Sequence, residues 1–303
     1  MSDVALRSRD VRKEFGSDER DRVLEGATLD VREGEILLLM GPNGVGKTVL
    51  LSCFAGSERP TEGEIEVFGR RPQAVAGDHL GFLLQDSVAV ETLTGRENVD
   101  FYAGLQPNFT DRWETYVDDL GIADDLDKLV ENYSEGMKRK LEFALTMSTD
   151  VPLYLLDEPT AGVDLTNVQR FHDVLLERHE ANPKTTTVVS SHRPMDANVA
   201  DRIAFMPDGT ITAVGTPEEL LERVPTVVRV TGREAMRVAE EYVADGQLFP
   251  LGGEARGFLE ACDVETVRQA VAESDRTDRG HAAVTPVEPN YTDLFNFSVH
   301  VDR

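Results

Sequence analysis

The sequence predicts a mixed α/β chain: one large α/β domain broken by a helical insertion, then a small α+β appendix. Three observations carry this. Short β-type runs fill the chain to about residue 85 and return from 150 to about 216. Between 86 and about 149, apolar residues recur at helical intervals. From about 225 a second alternation of strand-like and helix-like stretches begins.

In chain order, the first β-type runs are "VALRSRDVRKEF", "ATLDVREGEILLLM" and "GEIEVFG", separated by Gly, Pro and acidic turns. The insertion contributes "TGRENVDFYAGL" and "DRWETYVDDLGI", whose apolar spacing is helical. Strands return as "VPLYLLD", "TTTVVSSH" and "RIAFMPDGTITAVG", with the helix "NVQRFHDVLLERHE" between the first two. In the appendix "TVVRV" and "HAAVTPVEP" read as strands, and "REAMRVAEEYV", "DVETVRQAVAES" and "NYTDLFNF" as helices. No internal repeat and no low-complexity segment is seen.

The totals bound what this chain can be. Its 303 residues suffice for one large domain or two smaller ones, each with its own core. With 40% hydrophobic residues, a net charge of -25 does not signal disorder. The longest apolar runs, "ILLLM" and "LYLL", are far below membrane-span length. The start, "MSDVALRSRD", is charged and lacks a signal-peptide apolar region. Cys53 and Cys262 stand in no metal-ligand spacing, so a reduced, cytoplasmic chain is expected. Asp and Glu are spread evenly, a whole-surface property that fits a high-salt cytoplasm, where screening shortens to about 3 Å at 1 M. The same charge argues against general nucleic-acid binding, which needs a basic face.

The most specific signal is "GPNGVGKT", residues 41–48, between the apolar strand "EILLLM" and the apolar run "VLLSCFAG". It matches the G-x-x-x-x-G-K-[ST] phosphate loop in its strand–loop–helix setting. The residues from Gly41 through Pro42, Asn43, Gly44, Val45 and Gly46 to Lys47, Thr48 and Val49 are therefore candidate phosphate-binding positions. Glycines let backbone N–H groups turn inward around phosphate oxygens, and the helix start adds its dipole. Lys47 can reach the β- and γ-phosphates, and Thr48 can offer a hydroxyl to Mg²⁺. A second apolar strand, "LYLLDEP", ends in Asp157 and Glu158. Asp157 is the expected second Mg²⁺ anchor, through water, while Glu158 faces differently and can orient or deprotonate a water. Alone, two acids at a strand end are more often a solvated turn.

Together with "YSEGMKRKLEF", residues 133–143, these motifs resemble the nucleotide-binding subunit of ATP-binding-cassette (ABC) transporters over roughly residues 3–220. The resemblance implies a RecA-like P-loop NTPase core with an antiparallel β subdomain and a helical insertion. It places the ATPase domain at 1–222, with the helical subdomain at about 86–149, and a small domain at 223–303. It also implies roles. Phe15 matches the aromatic that stacks on adenine, and Gln85 in "GFLLQD" matches the loop that senses Mg²⁺ and contacts the membrane partner. Ser134 and Gly136 match the signature, usually Leu-Ser-Gly-Gly-Gln, that closes on ATP held by a second subunit. Asp164 in "AGVD" matches the loop crossing that interface, and His192 in "VVSSH" matches the switch histidine on the γ-phosphate. Taken singly, Phe15 reads as core, Gln85 as a surface amide, His192 as a cap or core residue, and Asp164 as a helix cap.

Two departures stand out: Glu135 replaces the first signature glycine and Met137 the glutamine. A carboxylate there repels triphosphate unless it faces solvent or a basic residue. The neighbouring Lys138, Arg139 and Lys140 are expected to offset repulsion between two acidic copies, although consecutive positions cannot share one helix face.

What the resemblance implies is a Mg-dependent ATP hydrolase without a membrane span, peripheral at the inner face of the cell membrane. Two ATPase subunits close on ATP, and their work passes to a separately encoded integral-membrane permease that docks on the Gln85 region and the helical insertion. "VEPNYTDLFNF", residues 287–297, is similar to the tail of ATPases serving ABC-2 type exporters. A soluble ABC ATPase acting on ribosome or DNA is the alternative, disfavoured by a single cassette, a short insertion and the acidic surface. A P-loop kinase leaves the signature and switch motifs unexplained.

Overall fold

A computed structural model describes residues 4–16, 21–75, 77, 79–260, 262–274 and 283–301 of the chain. Contacts divide it into two compact units, Met1–Ala213 and Val214–Arg303.

The chain opens with β1 (Val4–Phe15), β2 (Asp21–Arg32), β3 (Ile36–Met40), α1 (Lys47–Ala55), β4 (Glu62–Val67) and β5 (Leu80–Leu83). The helical insertion then supplies α2 (Gly95–Leu105), α3 (Trp113–Asp119) and α4 (Glu135–Met147). Next come β6 (Leu153–Asp157), α5 (Leu165–Ala181), β7 (Thr186–Ser191), β8 (Arg202–Phe205) and β9 (Ala213–Gly215), which spans the division between the units.

The six-stranded sheet has the order β5-β6-β7-β3-β8-β9, and β5 through β8 pair in parallel. Every residue of β3, β6 and β7 is buried, as continuous apolar or β-branched runs at the centre of a parallel sheet must be. A separate antiparallel sheet has the order β2-β1-β4. The run "ATLDVREGEILLLM" is thus two strands in two sheets. A turn at Glu33–Glu35 breaks it, where the Glu35 carboxylate accepts a hydrogen bond from the Arg32 N–H (2.8 Å) and pairs with Arg202 (3.0 Å). β5 was not expected as a strand; four residues paired only with β6 carry too little periodicity to announce one.

Register positions the site. Asp157 lies beside Ser190, Leu39 beside Ser190, and Met40 beside Ser191. The chain therefore leaves β6, β7 and β3 at one edge, the carboxyl edge where open parallel sheets present their ligand loops.

The second unit contains α6 (Pro217–Leu221), β10 (Val227–Thr231), α7 (Arg233–Ala239), β11 (Phe249–Leu251), β12 (Glu254–Phe258), α8 (Val264–Ser274), β13 (Ala283–Val287) and α9 (Tyr291–Asn296). From β10 to β13 this is a β-α-β-β-α-β run on an antiparallel sheet ordered β11-β12-β10-β13, the ferredoxin-like arrangement. Val228, Val230, Ala235, Val267 and Val284 pack in its core. The expected strand "HAAVTPVEP" starts at 281, and its first two residues lie outside the described set.

Candidate active site

The loop after β3 is shaped by what cannot fit there. A Cβ on Gly41 would meet the Met206 carbonyl oxygen at 2.0 Å. Gly46, which opens α1, has φ +102°, and a Cβ there would meet the Val23 carbonyl oxygen at 2.7 Å. Side-chain-free backbone at these points leaves the N–H groups of residues 43–48 to line a concave anion seat at a helix start, while the Gly41 N–H is held by the Ser191 carbonyl at 3.2 Å.

Lys47 is buried, and its Nζ donates to the carbonyls of Gly41 and Pro42, 2.9 Å each. It also lies 3.3 Å from Oε1 of Glu158. Burial pulls its pKa down, while the charges of Glu158 and then Asp157 push it up. The Thr48 hydroxyl, one residue on, donates to Oε1 of Gln85 at 3.3 Å, which brings the loop after β5 to the phosphate loop.

Asp157, the last residue of β6, is fully buried. Its Oδ1 accepts a hydrogen bond from the Ser190 hydroxyl, and its Oδ2 is buried without any partner. Glu158 stands at φ +47°, a left-handed conformation unusual for a side chain with a Cβ. Its N–H is held by Ser190, through the hydroxyl at 2.9 Å and the carbonyl at 3.2 Å. This turn out of the strand sends the Glu158 carboxylate toward Lys47 on one side and His192 on the other. His192 Nδ1 is 3.2 Å from Oε2, at ion-pair distance but off the hydrogen-bonding axis.

The structure therefore brings together the phosphate loop, Lys47, Thr48, Gln85, Asp157, Glu158 and His192 at one sheet edge. The remaining expected residues make their contacts elsewhere. Phe15 ends β1 with its ring 39% exposed and the Lys13 ammonium 4.7 Å from the ring centre. Ser134 caps α4, accepting from the Met137 N–H, and a Cβ on Gly136 would meet only the Gly162 carbonyl oxygen, at 3.7 Å. Asp164 caps α5 through the Thr166 and Asn167 N–H groups, the plain reading of an acid before a helix. Val49 follows in the first turn of α1.

Glu135 is 83% exposed and 3.5 Å from Lys138, so it faces solvent and a basic residue, as expected. The cation run needs correction. Lys138 is paired with Glu91 at 2.6 Å as well as with Glu135. Arg139 points inward and is buried. Its guanidinium donates to the carbonyls of Leu84, Asp157, Glu158 and Pro159, so it cannot offset repulsion between two surfaces. The reason is geometric: each residue of a helix turns about 100° from the last, so three neighbours face three ways. Sequence reasoning also missed Ser190, although its place two residues before His192 and beside Asp157 was available from strand alignment.

The donor set fits Mg²⁺. A hydroxyl, an amide oxygen and a carboxylate with one orphaned buried oxygen are hard oxygen ligands, and this ion keeps several waters and phosphate oxygens rather than needing an all-protein cage. Among the described residues, no group of three or more His, Cys, Asp or Glu could hold a metal ion.

Known proteins resemble this chain in the same region. The ABC transporter family profile matches residues 24–161. A fluoroquinolones export ATP-binding protein of Mycobacterium tuberculosis is 31% identical over 226 residues, 74% of this chain and 72% of that protein. The daunorubicin resistance ATP-binding protein DrrA3 of Streptomyces coeruleorubidus is 31% identical over 266 residues, 84% of this chain and 80% of its own. A sulfate/thiosulfate import ATP-binding protein, CysA 2 of Rhizobium meliloti, is 34% identical over 232 residues, covering 72% and 62% respectively. Among solved structures, an ATP-binding subunit of an ABC transporter superposes with a TM-score of 0.63 at 22% identity, covering 72% of this chain and 92% of that one. A dimeric bacterial ABC transporter cassette gives 0.61 at 23% identity, covering 70% and 98%.

Proposed function

The chain belongs to the ABC transporter ATP-binding family, an ATP hydrolase that powers a membrane transporter, and from that premise we propose that it serves an ABC-2 type exporter through a Mg-ATP site shared by two copies. The observation that carries the site assignment is the convergence of Lys47, Glu158, His192 and the Thr48–Gln85 pair at the sheet edge where β6 ends in Asp157, one of whose carboxylate oxygens is buried without a partner.

The triphosphate sits on the N–H groups of residues 43–48. Its oxygens, more strongly charged than the carbonyls of Gly41 and Pro42, draw the Lys47 ammonium to themselves. The loss of that ammonium frees Glu158 Oε1 to accept a proton from, or aim, a water in line with the γ-phosphate. His192, on the other carboxylate oxygen, steadies the terminal phosphoryl. Mg²⁺ held by Thr48, Gln85 and, through water, Asp157 would neutralise charge on the β- and γ-phosphate oxygens. Phe15 offers its exposed face to the adenine.

Ser134 and Gly136 serve the nucleotide of a second copy, and Asp164 lies in the loop at the same contact. Support comes from Gly136. Packing within this chain leaves room for a Cβ there, so close backbone approach by another body is the reason we assign to the glycine. The solved cassette described as dimeric supplies the precedent.

Docking of the permease is assigned to Leu84, Val88, Phe101 and Leu105, large apolar side chains left exposed beside the Gln85 loop and on α2. No helix among the described residues is long and apolar enough to cross a membrane; the transport path is assigned to a separate permease, with this chain at the inner membrane face. Export is favoured by the tail "VEPNYTDLFNF" and by the two relatives named for drug export and drug resistance. A high-salt cytoplasm is favoured by the net charge of -25. Purification in detergent from cells expressing the neighbouring genes tests the partner. A polytopic membrane protein that remains bound through washing is expected; recovery of this chain alone, or with ribosomes or DNA, overturns the reading.

A further inference from the structure

Four backbone carbonyls converge on one buried guanidinium. Arg139, in the second turn of α4, donates to Pro159 (3.3 Å) and Glu158 (3.0 Å), and also to Asp157 and Leu84. Three of these carbonyls belong to the segment that carries the two acidic site residues. The fourth immediately precedes Gln85. One turn along the same helix face, Glu142 lies 3.7 Å from the guanidinium. Its Oε1 accepts from the Ser87 hydroxyl (2.6 Å), the Val88 N–H (2.6 Å) and the Ala89 N–H (3.0 Å). The loop that presents Gln85 is thus gripped on both sides, by Arg139 at 84 and by Glu142 at 87–89. Glu158 is likewise gripped at both ends of its peptide: N–H by Ser190, C=O by Arg139.

We propose that Arg139 and Glu142 form a positioning latch for hydrolysis, holding Glu158 in its left-handed turn and Gln85 beside Thr48, and tying both to the helix that Ser134 caps. The latch rests on the assignment of Glu158 as the group that acts on water. A left-handed non-glycine residue persists only when its surroundings over-determine it, and the planar five-donor guanidinium is the one side chain able to bridge four carbonyls at once. Glu142 contributes the nearest carboxylate to a buried cation whose hydrogen bonds all go to neutral carbonyls, with the charges of Asp157 and Glu158 beyond it. Movement of the signature helix therefore carries the catalytic carboxylate and the permease-facing loop with it. That makes α4 the mechanical link between the start that meets the second copy and the site in its own copy.

The test uses the full chain with R139K, E142Q and E158Q, reading kcat, KM for Mg-ATP and thermal melting in each. Lysine keeps the charge but brings a compact ammonium in place of the fork. For R139K the latch predicts kcat lower by about 10- to 100-fold with KM within about twofold, in protein that still melts cooperatively. For E142Q, whose amide oxygen still accepts from the loop, it predicts a smaller loss of kcat, about tenfold, at unchanged KM. If R139K does not fold, E142Q decides, and a kcat within about twofold of the parent overturns the latch. A merely structural pair lowers the melting temperature and leaves the kcat of folded protein alone, which also overturns it. Inactive E158Q beside fully active R139K sinks the latch while the site assignment stands. Fully active E158Q sinks both, since Arg139 then has no catalytic carboxylate to aim.

Discussion

Lys47 and Glu158 hold each other at 3.3 Å, and the chemistry assigned to each follows from what a triphosphate does to that pair. Lys47→Ala removes the cation that draws in the β- and γ-phosphates, so ATP hydrolysis is expected to vanish along with most ATP affinity in a nucleotide-binding titration. Glu158→Gln keeps shape and hydrogen bonding but not basicity. It is expected to bind ATP normally while kcat falls about 10²- to 10⁴-fold, and normal turnover would show another group acting on the water. Ser190 is the quieter case. Its hydroxyl bonds Asp157 and the Glu158 N–H together, so Ser190→Ala strips a buried carboxylate of its one donor. A loss of about 1–3 kcal/mol in urea unfolding is expected, and a stability unchanged within error would mean the carboxylate finds another donor.

At the scale of elements, two helix caps look alike yet differ in consequence. Ser134 and Asp164 each satisfy N–H groups at a helix start, and replacing either by Ala is expected to cost about 1 kcal/mol in denaturant unfolding. Ser134→Ala should also weaken ATP-dependent association, because its hydroxyl serves the second copy; association equal to that of the parent chain would remove Ser134 from that role. Much of this layer was legible beforehand. The phosphate loop, the strand ending in Asp157, and the helices over 95–105, 113–119 and 165–181 announce themselves through motif and period. Short strands such as β5, β11 and β12 do not, since three to five residues hold little pattern and their pairing is fixed by distant partners. Arg139 was misread for a related reason. A basic residue between two lysines looks like surface, and only the packing of α4 against β5 and the end of β6 shows the carbonyls that bury it.

On the scale of the whole molecule, 56 acidic against 31 basic residues make electrostatics the dominant surface property. If the chain is built for concentrated salt, its melting temperature should rise from low to multimolar potassium chloride as self-repulsion is screened; an equal or lower value there rejects the high-salt reading. Such a surface also sets the difficulty of closure, since two like-charged copies must meet around a nucleotide that is itself negative. With Arg139 buried and Lys138 engaged by Glu91 and Glu135, two of the three cations at 138–140 are spent within the chain, and closure is assigned to the ATP bound at the shared site. The most direct test is the mass of Glu158→Gln in solution, by sedimentation with and without saturating Mg-ATP. The expected result is a doubling of mass on adding nucleotide; a species that stays at the mass of one chain while fully loaded with ATP would contradict the shared site.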